Sequence, residues 1–244
     1  MTSVRAVLVV TTDKCYDLTG KTSPRREDHP IGGADPYSSS KAAAELVTAA
    51  YRASYFGSGS RHPALVATAR SGNVIGGGDW STDRIATDTA RAMSDGRKVV
   101  LRYPEAIRPW MYVLDSLFGY LMLIERLHSG QEEFAGPWNF GPDTEGDITV
   151  SRFVELFAQS WGRQQPWEQA PGQHPSEAVQ LRLDSTKARR QLRWEPACSQ
   201  IEAIRETANW YHAFESQTAD AATLCANAIE RHLAAADKQN TRIN

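Results

Sequence analysis

Two short segments hold side chains whose types and spacing fit proton transfer at a substrate oxygen, Thr12-Asp13-Lys14 and Tyr37-Ser38-Ser39-Ser40-Lys41. Tyr37 and Lys41 are four residues apart, so on a helix they share one face and the ammonium lies near the phenol. A cation in that place favours phenolate, which turns a tyrosine of ordinary pKa, about 10, into a base near neutral pH. Thr12 offers a hydroxyl to the same substrate oxygen, and Asp13 and Lys14 add a carboxyl and an amine on one turn. Alone, Tyr-x-x-x-Lys is equally a surface pair that meets by chance, and most Thr-Asp-Lys triplets are ordinary polar strand ends. In combination the two segments predict an acid-base site.

The elements that must position these groups are legible around them. Ala6-Val7-Leu8-Val9-Val10 is an unbroken apolar run rich in β-branched valine, the pattern of a strand buried on both faces of a parallel sheet, and it ends in Thr11-Thr12-Asp13. Strand ends of this kind carry ligand sites. Residues 19–34 are rich in Gly, Pro and charge and read as a loop. Asp35 then caps, and Pro36 opens, a helix through about Tyr55 that carries Tyr37 and Lys41 at its start. A second apolar run, 64–69, passes into Arg70-Ser71-Gly72-Asn73 and the glycines 76–78, a strand entering a glycine-rich turn. Beyond it the pattern predicts helices over 83–94, 114–127 and 150–161, a strand over 98–102, an extended segment over 138–140 and a surface or ligand-covering loop over 164–177. Two helical stretches between 199 and 232 and a polar tail from Asp237 complete the chain. The alternation gives an α/β class with a parallel sheet.

The 244 residues suffice for one large or two small domains with a true core. A net charge of -2, with both signs scattered, provides no basic stripe for a phosphate backbone, so nucleic acid is not an expected partner. Cys15, Cys198 and Cys225 are odd in number and lack metal-ligand spacing, which reads as free thiols in a reducing compartment and no metal site. The first apolar stretch is too short for a secretory signal, and no run approaches the roughly 18 apolar residues of a membrane span. A cytoplasmic protein with no membrane partner is expected.

The Asp35-to-Lys41 segment, the run from Arg70 to Trp80, Ile107-Arg108-Pro109-Trp110 and Trp138-Asn139-Phe140-Gly141-Pro142 resemble the nucleotide-sugar epimerases and dehydratases of the extended short-chain dehydrogenase/reductase family. Within it, Asp13-Lys14 followed by Cys15-Tyr16 is similar to the 4,6-dehydratase branch acting on CDP-glucose, whereas relatives acting on dTDP-glucose carry Thr-Asp-Glu. The resemblance runs from the first strand to about Tyr211. It implies the C-terminal part of a Rossmann-like doubly wound parallel sheet plus a smaller mixed α/β substrate-binding domain. Residues 1–75 would be the remaining NAD-binding part, 76–236 mainly nucleotide-sugar binding with some elements returning to the sheet, and 237–244 the tail.

The resemblance also implies roles. Tyr37, with Lys41 and Thr12, would take the proton of the sugar 4-hydroxyl, and Tyr37 and Lys41 would contact NAD. Asp13 would protonate the leaving 6-hydroxyl, and Lys14 would either help remove the carbon 5 proton or stabilise the enolate. Arg70, Asn73, Asp79, Trp80, Arg84, Arg108 and His174 are the implied nucleotide-sugar contacts, Arg108 for the diphosphate. A backbone approach to ligand at Gly76 to Gly78 competes with a simple tight turn, and a solvent-exposed Arg108 competes with a diphosphate ligand. Complete relatives commonly form homodimers through the helix carrying Tyr37.

The family's Gly-x-x-Gly-x-x-Gly turn belongs about a hundred residues before Thr12, but only eleven residues precede it here. The expectation is therefore a truncated chain with apolar surface left open beside the first strand, binding NAD poorly and weakly active or inactive alone. Two other readings stay open: a nucleotide-sugar 4-epimerase, which has no use for Asp13-Lys14, and a non-catalytic nucleotide-binding remnant.

Overall fold

The computed structural model describes residues 3–18, 23–57, 59–60, 62–142, 148–172 and 182–243. In chain order the first elements are β1 (Ala6–Val10), a 3-10 turn (Asp13–Cys15), α1 (Pro36–Tyr55), β2 (Leu65–Ser71), β3 (Asn73–Ile75), α2 (Ile85–Ser94), β4 (Val99–Leu101) and β5 (Trp110–Tyr112). They are followed by α3 (Val113–His128), β6 (Gly136–Phe140), α4 (Val150–Ala158), β7 (Trp167–Gln169), α5 (Gln200–Glu215) and α6 (Ala221–Ile243). The chain divides into two compact units, one of Met1–Gly72, Ser116–Gly141 and Leu181–Glu195, the other of Asn73–Asp115, Pro142–Gln180 and Pro196–Asn244.

The first unit is built on a parallel sheet of order β1-β2-β6, with Ala6 opposite Leu65 and Ala67 opposite Gly136. β2, in the centre, is buried along its whole length. Its alternate residues serve two helices. Thr68 and Arg70 meet Glu45 of α1, while Ser71 meets Tyr120 of α3 at 2.7 Å, so α1 and α3 cover opposite faces. Gly119 lets α3 approach closely, because a Cβ there would stand 2.6 Å from the Phe140 ring. The helix α1 starts where Asp35 accepts from the N–H groups of Tyr37 (2.9 Å) and Ser38 (3.0 Å), with Pro36 in the first turn.

β1 is half-buried rather than enclosed on both faces as its valine-rich run suggested, and Val10 is 51% exposed, in line with the open apolar surface expected beside the first strand. Among the described residues β1 pairs on one side only, with β2, and an apolar run reports composition rather than the number of neighbours.

In the second unit β3 pairs with β5 and β4 with β7, both in parallel. Around them α2, α4 and α5 form an apolar core in which Trp110 lies 4.3 Å from Phe153 and Trp210 stacks on Phe214 at 5.4 Å. Ser199 and Glu202 form a reciprocal capping box at the start of α5. β7 falls within the stretch expected to be a loop, and α6 continues to Ile243 through the segment read as a tail.

Candidate active site

The site grows from the end of β1. Thr11 continues the ladder, its N–H donating to the Ala69 carbonyl at 2.8 Å, and Thr12 then caps the short 3-10 turn. The Thr12 hydroxyl donates to Asp13 Oδ1 at 3.0 Å and accepts from the Lys14 N–H at 3.4 Å. Thr12 and Asp13 are buried, while Lys14 points outward and sets its Nζ 5.8 Å from the centroid of the Tyr37 ring. Tyr37 is 48% exposed, and Lys41, one turn along the same helix, is half-buried. The structure thus brings the 3-10 turn against the first turns of α1, joining two segments that are separate in sequence.

Behind this surface lies a buried polar network that the sequence reading missed. Glu45, 3% exposed, accepts from the hydroxyls of Thr11 (2.5 Å) and Thr68 (2.7 Å) and from Arg70 Nη2 (2.8 Å). Arg70 Nη1 donates to the Tyr16 hydroxyl at 2.8 Å, which in turn donates to Asn139 Oδ1 at 2.7 Å. Burial raises the Glu45 carboxyl, but the Arg70 guanidinium and the Thr11 and Thr68 hydroxyls together more than offset this and hold it below the usual carboxylate range. Burial pushes the neighbouring Cys15 thiol up to about 12, so it is no nucleophile. The available sequence signal was Glu45 itself, eight residues after Tyr37 and four after Lys41 on one helical stripe.

Arg70 is a correction. Expected to face a nucleotide-sugar, it is 2% exposed, and its guanidinium is engaged by Glu45 and Tyr16 and lies over the Tyr16 ring. In the glycine run, a Cβ on Gly76 would stand 2.4 Å from Val113 and one on Gly77 2.1 Å from the Trp210 indole, so close packing by itself requires glycine at these two positions. The remaining expected contacts lie in the second unit. Asn73 is half-buried in β3, and Asp79, Trp80 and Arg84 are exposed on the connection to α2. The Asp79 carbonyl accepts from Tyr211 Oη at 2.5 Å, and the Trp80 ring packs 5.2 Å from Tyr211. Arg108 is half-buried, with Nη1 donating to its neighbour's carbonyl, Ile107, at 2.8 Å. His174 lies outside the described residues.

The first turns of α1, with Tyr37 exposed beside a hydroxyl-bearing strand end, fit the nicotinamide-ribose end of a dinucleotide. No Gly-x-x-Gly-x-x-Gly turn occurs among the 244 residues, so the residues present fit only that end. Among the described residues there is no cluster of His, Cys, Asp and Glu placed to hold a metal, and no helix long and apolar enough to cross a membrane.

With this parallel sheet and the Thr-Asp-Lys and Tyr-x-x-x-Lys segments meeting at its edge, the chain belongs to the NAD dependent epimerase/dehydratase family, whose model matches residues 1–141. It is 40% identical over 214 residues to the CDP-glucose 4,6-dehydratase of Salmonella typhimurium (strain LT2), a match covering 87% of this chain and 60% of that protein. In fold it is similar to dTDP-glucose 4,6-dehydratase from Bacillus anthracis, solved in complex with NAD (TM-score 0.71, 23% identity, 86% of this chain and 62% of that one). It is equally similar to UDP-glucose 4-epimerase from Thermotoga maritima, solved with UDP-glucose (TM-score 0.71, 20% identity, 86% and 64%). The chain therefore has the α/β fold of these Rossmann-like proteins, and it spans about three fifths of the length of the relatives it matches.

Proposed function

We propose that the chain supplies the acid-base and part of the nucleotide-sugar-binding machinery of an NAD-dependent CDP-glucose 4,6-dehydratase. The observation that carries this reading is Lys14 set over the Tyr37 ring, with Asp13 beside it in the 3-10 turn, in a chain 40% identical to a protein of that activity. The chemistry a bound NAD supplies is reversible oxidation of the sugar at carbon 4, with Tyr37 and Lys41 holding its ribose end. Tyr37 accepts the proton of the 4-hydroxyl, aided by the Thr12 hydroxyl as a hydrogen-bond partner. The resulting ketone acidifies the carbon 5 proton. Lys14, its amine above the Tyr37 ring, accepts the carbon 5 proton, while Asp13 gives its own proton to the departing 6-hydroxyl, which leaves as water. Asn73, Asp79, Trp80, Arg84 and Arg108 are the further candidate nucleotide-sugar contacts.

Exposed Leu46, Val47, Tyr51 and Tyr55 on α1 support pairing of two copies through this helix. Three free cysteines support a reducing compartment.

The test compares two variants in the full-length protein. Tyr37→Phe should lower turnover by roughly 10²-fold or more. Asp13→Asn should block elimination while reduced NAD still accumulates, visible by its absorbance. Wild-type turnover in Asp13→Asn would remove the elimination role.

A further inference from the structure

We propose that Glu45 is a positioning residue for the acid-base site, its buried carboxylate fixing the roll of α1 against the ends of β1 and β2 so that Tyr37 faces the Thr12 turn. The inference rests on Tyr37 being the reacting base, as above. Its basis is convergence. Three donors from two strands, Thr11 at the end of β1 and Thr68 and Arg70 near the end of β2, meet on the two oxygens of one side chain. Thr11 directly precedes Thr12, and Glu45 lies on the helical stripe of Tyr37 and Lys41. A movement of Glu45 therefore moves the phenol relative to the hydroxyl it must work with.

Stability does not account for such an arrangement. Both partners of the Glu45–Arg70 pair are almost fully buried, and a buried ion pair is often no more stabilising than apolar residues of the same volume. What three directed bonds provide is a single orientation. Side-chain tips on a helix lie about 5–6 Å from its axis, so a roll of about 10° displaces the phenol by about 1 Å. A misplacement of about 1 Å costs on the order of 10²-fold in rate.

The decisive variant is Glu45→Gln with Arg70→Met, which removes both charges together and strands neither. Thr11→Val, which deletes one donor and keeps the ion pair, is the second variant should the first fail to fold. Each is made in the full-length protein and read by thermal melting, by kcat and KM with CDP-glucose, and by fluorine NMR of 3-fluorotyrosine at Tyr37, assigned through Tyr37→Phe. The expected result is a cooperative melt, kcat down by about 10²-fold in the double variant and several-fold in Thr11→Val, KM within about threefold, and a displaced Tyr37 signal. A folded variant with unchanged kcat and an unchanged Tyr37 signal overturns the proposal. If the wild type turns over no nucleotide-sugar, the dehydratase reading fails, and the Tyr37 signal alone decides whether Glu45 positions that residue.

Discussion

Replacing Asp115 with an asparagine should remove one part of the protein's pH-dependent stability. Asp115 is 1% exposed, and its carboxylate accepts from the N–H groups of Ala197 (2.6 Å) and Cys198 (3.4 Å). His232 of α6 sets its Nε2 3.7 Å away, and Tyr112, Cys198, Glu202 and Glu206 are the other titratable neighbours of this cluster. Distance alone reads as an ion pair, but both groups are buried. Burial pushes the Asp115 carboxyl from 3.8 up to about 7, beyond what the two N–H donors hold down, and pushes the His232 imidazole below its ordinary range. The fold therefore favours both groups neutral. A carboxyl raised in the folded state keeps its proton where the unfolded chain has released it, so its contribution to stability is lost as pH rises from about 4 to about 7. His232 acts oppositely, losing stability on acidification below about pH 6.5. The amide of the Asp115→Asn variant lacks the first dependence and leaves the second in place. Between about pH 4.5 and about pH 8 the stability of Asp115→Asn relative to wild type should therefore improve by about 3 kcal/mol. Urea unfolding followed by tryptophan fluorescence reads it, since Trp110 and Trp210 lie in the same unit's core. Parallel pH dependences within about 1 kcal/mol, or a variant that weakens towards neutral pH, would refute the neutral pair in favour of an ionised Asp115.

Other perturbations test the packing and the corrected roles. Gly77→Ala should cost roughly 1–3 kcal/mol or more, because the added methyl meets the buried Trp210 indole, itself held by Phe214. An unchanged melting temperature would contradict the packing requirement for that glycine. Arg70→Ala should destabilise by about 3–5 kcal/mol by leaving the Glu45 carboxylate buried without its cation. A raised KM with an unaltered melt would instead mark Arg70 as a substrate ligand.

How much of this was legible in the residues depended on how local each signal was. The bounds of α1 follow from Asp35 and Pro36 at its head, and the crossing from β1 through α1 to β2 follows from two valine- and alanine-rich runs. β3, β5 and β7 have three residues each, too few for a period to show. Arg70 illustrates the harder case. A strand-end arginine can turn to a ligand or to a helix carboxylate, and the choice was made by Glu45, 25 residues earlier. Gly77 is similar, since its space is taken by Trp210, which no local pattern links to it. In the site, the Thr12 turn and the Tyr37 helix were each recognisable from residue type. The placement of Lys14 over the Tyr37 ring was not, because it depends on how the 3-10 turn abuts α1.

If the Thr12-Asp13-Lys14 turn and Tyr37 together carry out elimination as well as oxidation, the product records it. The most direct measurement is product identity after the full-length protein is incubated with CDP-glucose and NAD, by mass and by the absorbance of a 4-keto sugar in base. A 4-keto-6-deoxy product, lighter by one water, is predicted. Recovery of CDP-glucose with its 4-epimer, at unchanged mass, would contradict the elimination role and give Tyr37 and Lys41 the work of an epimerase.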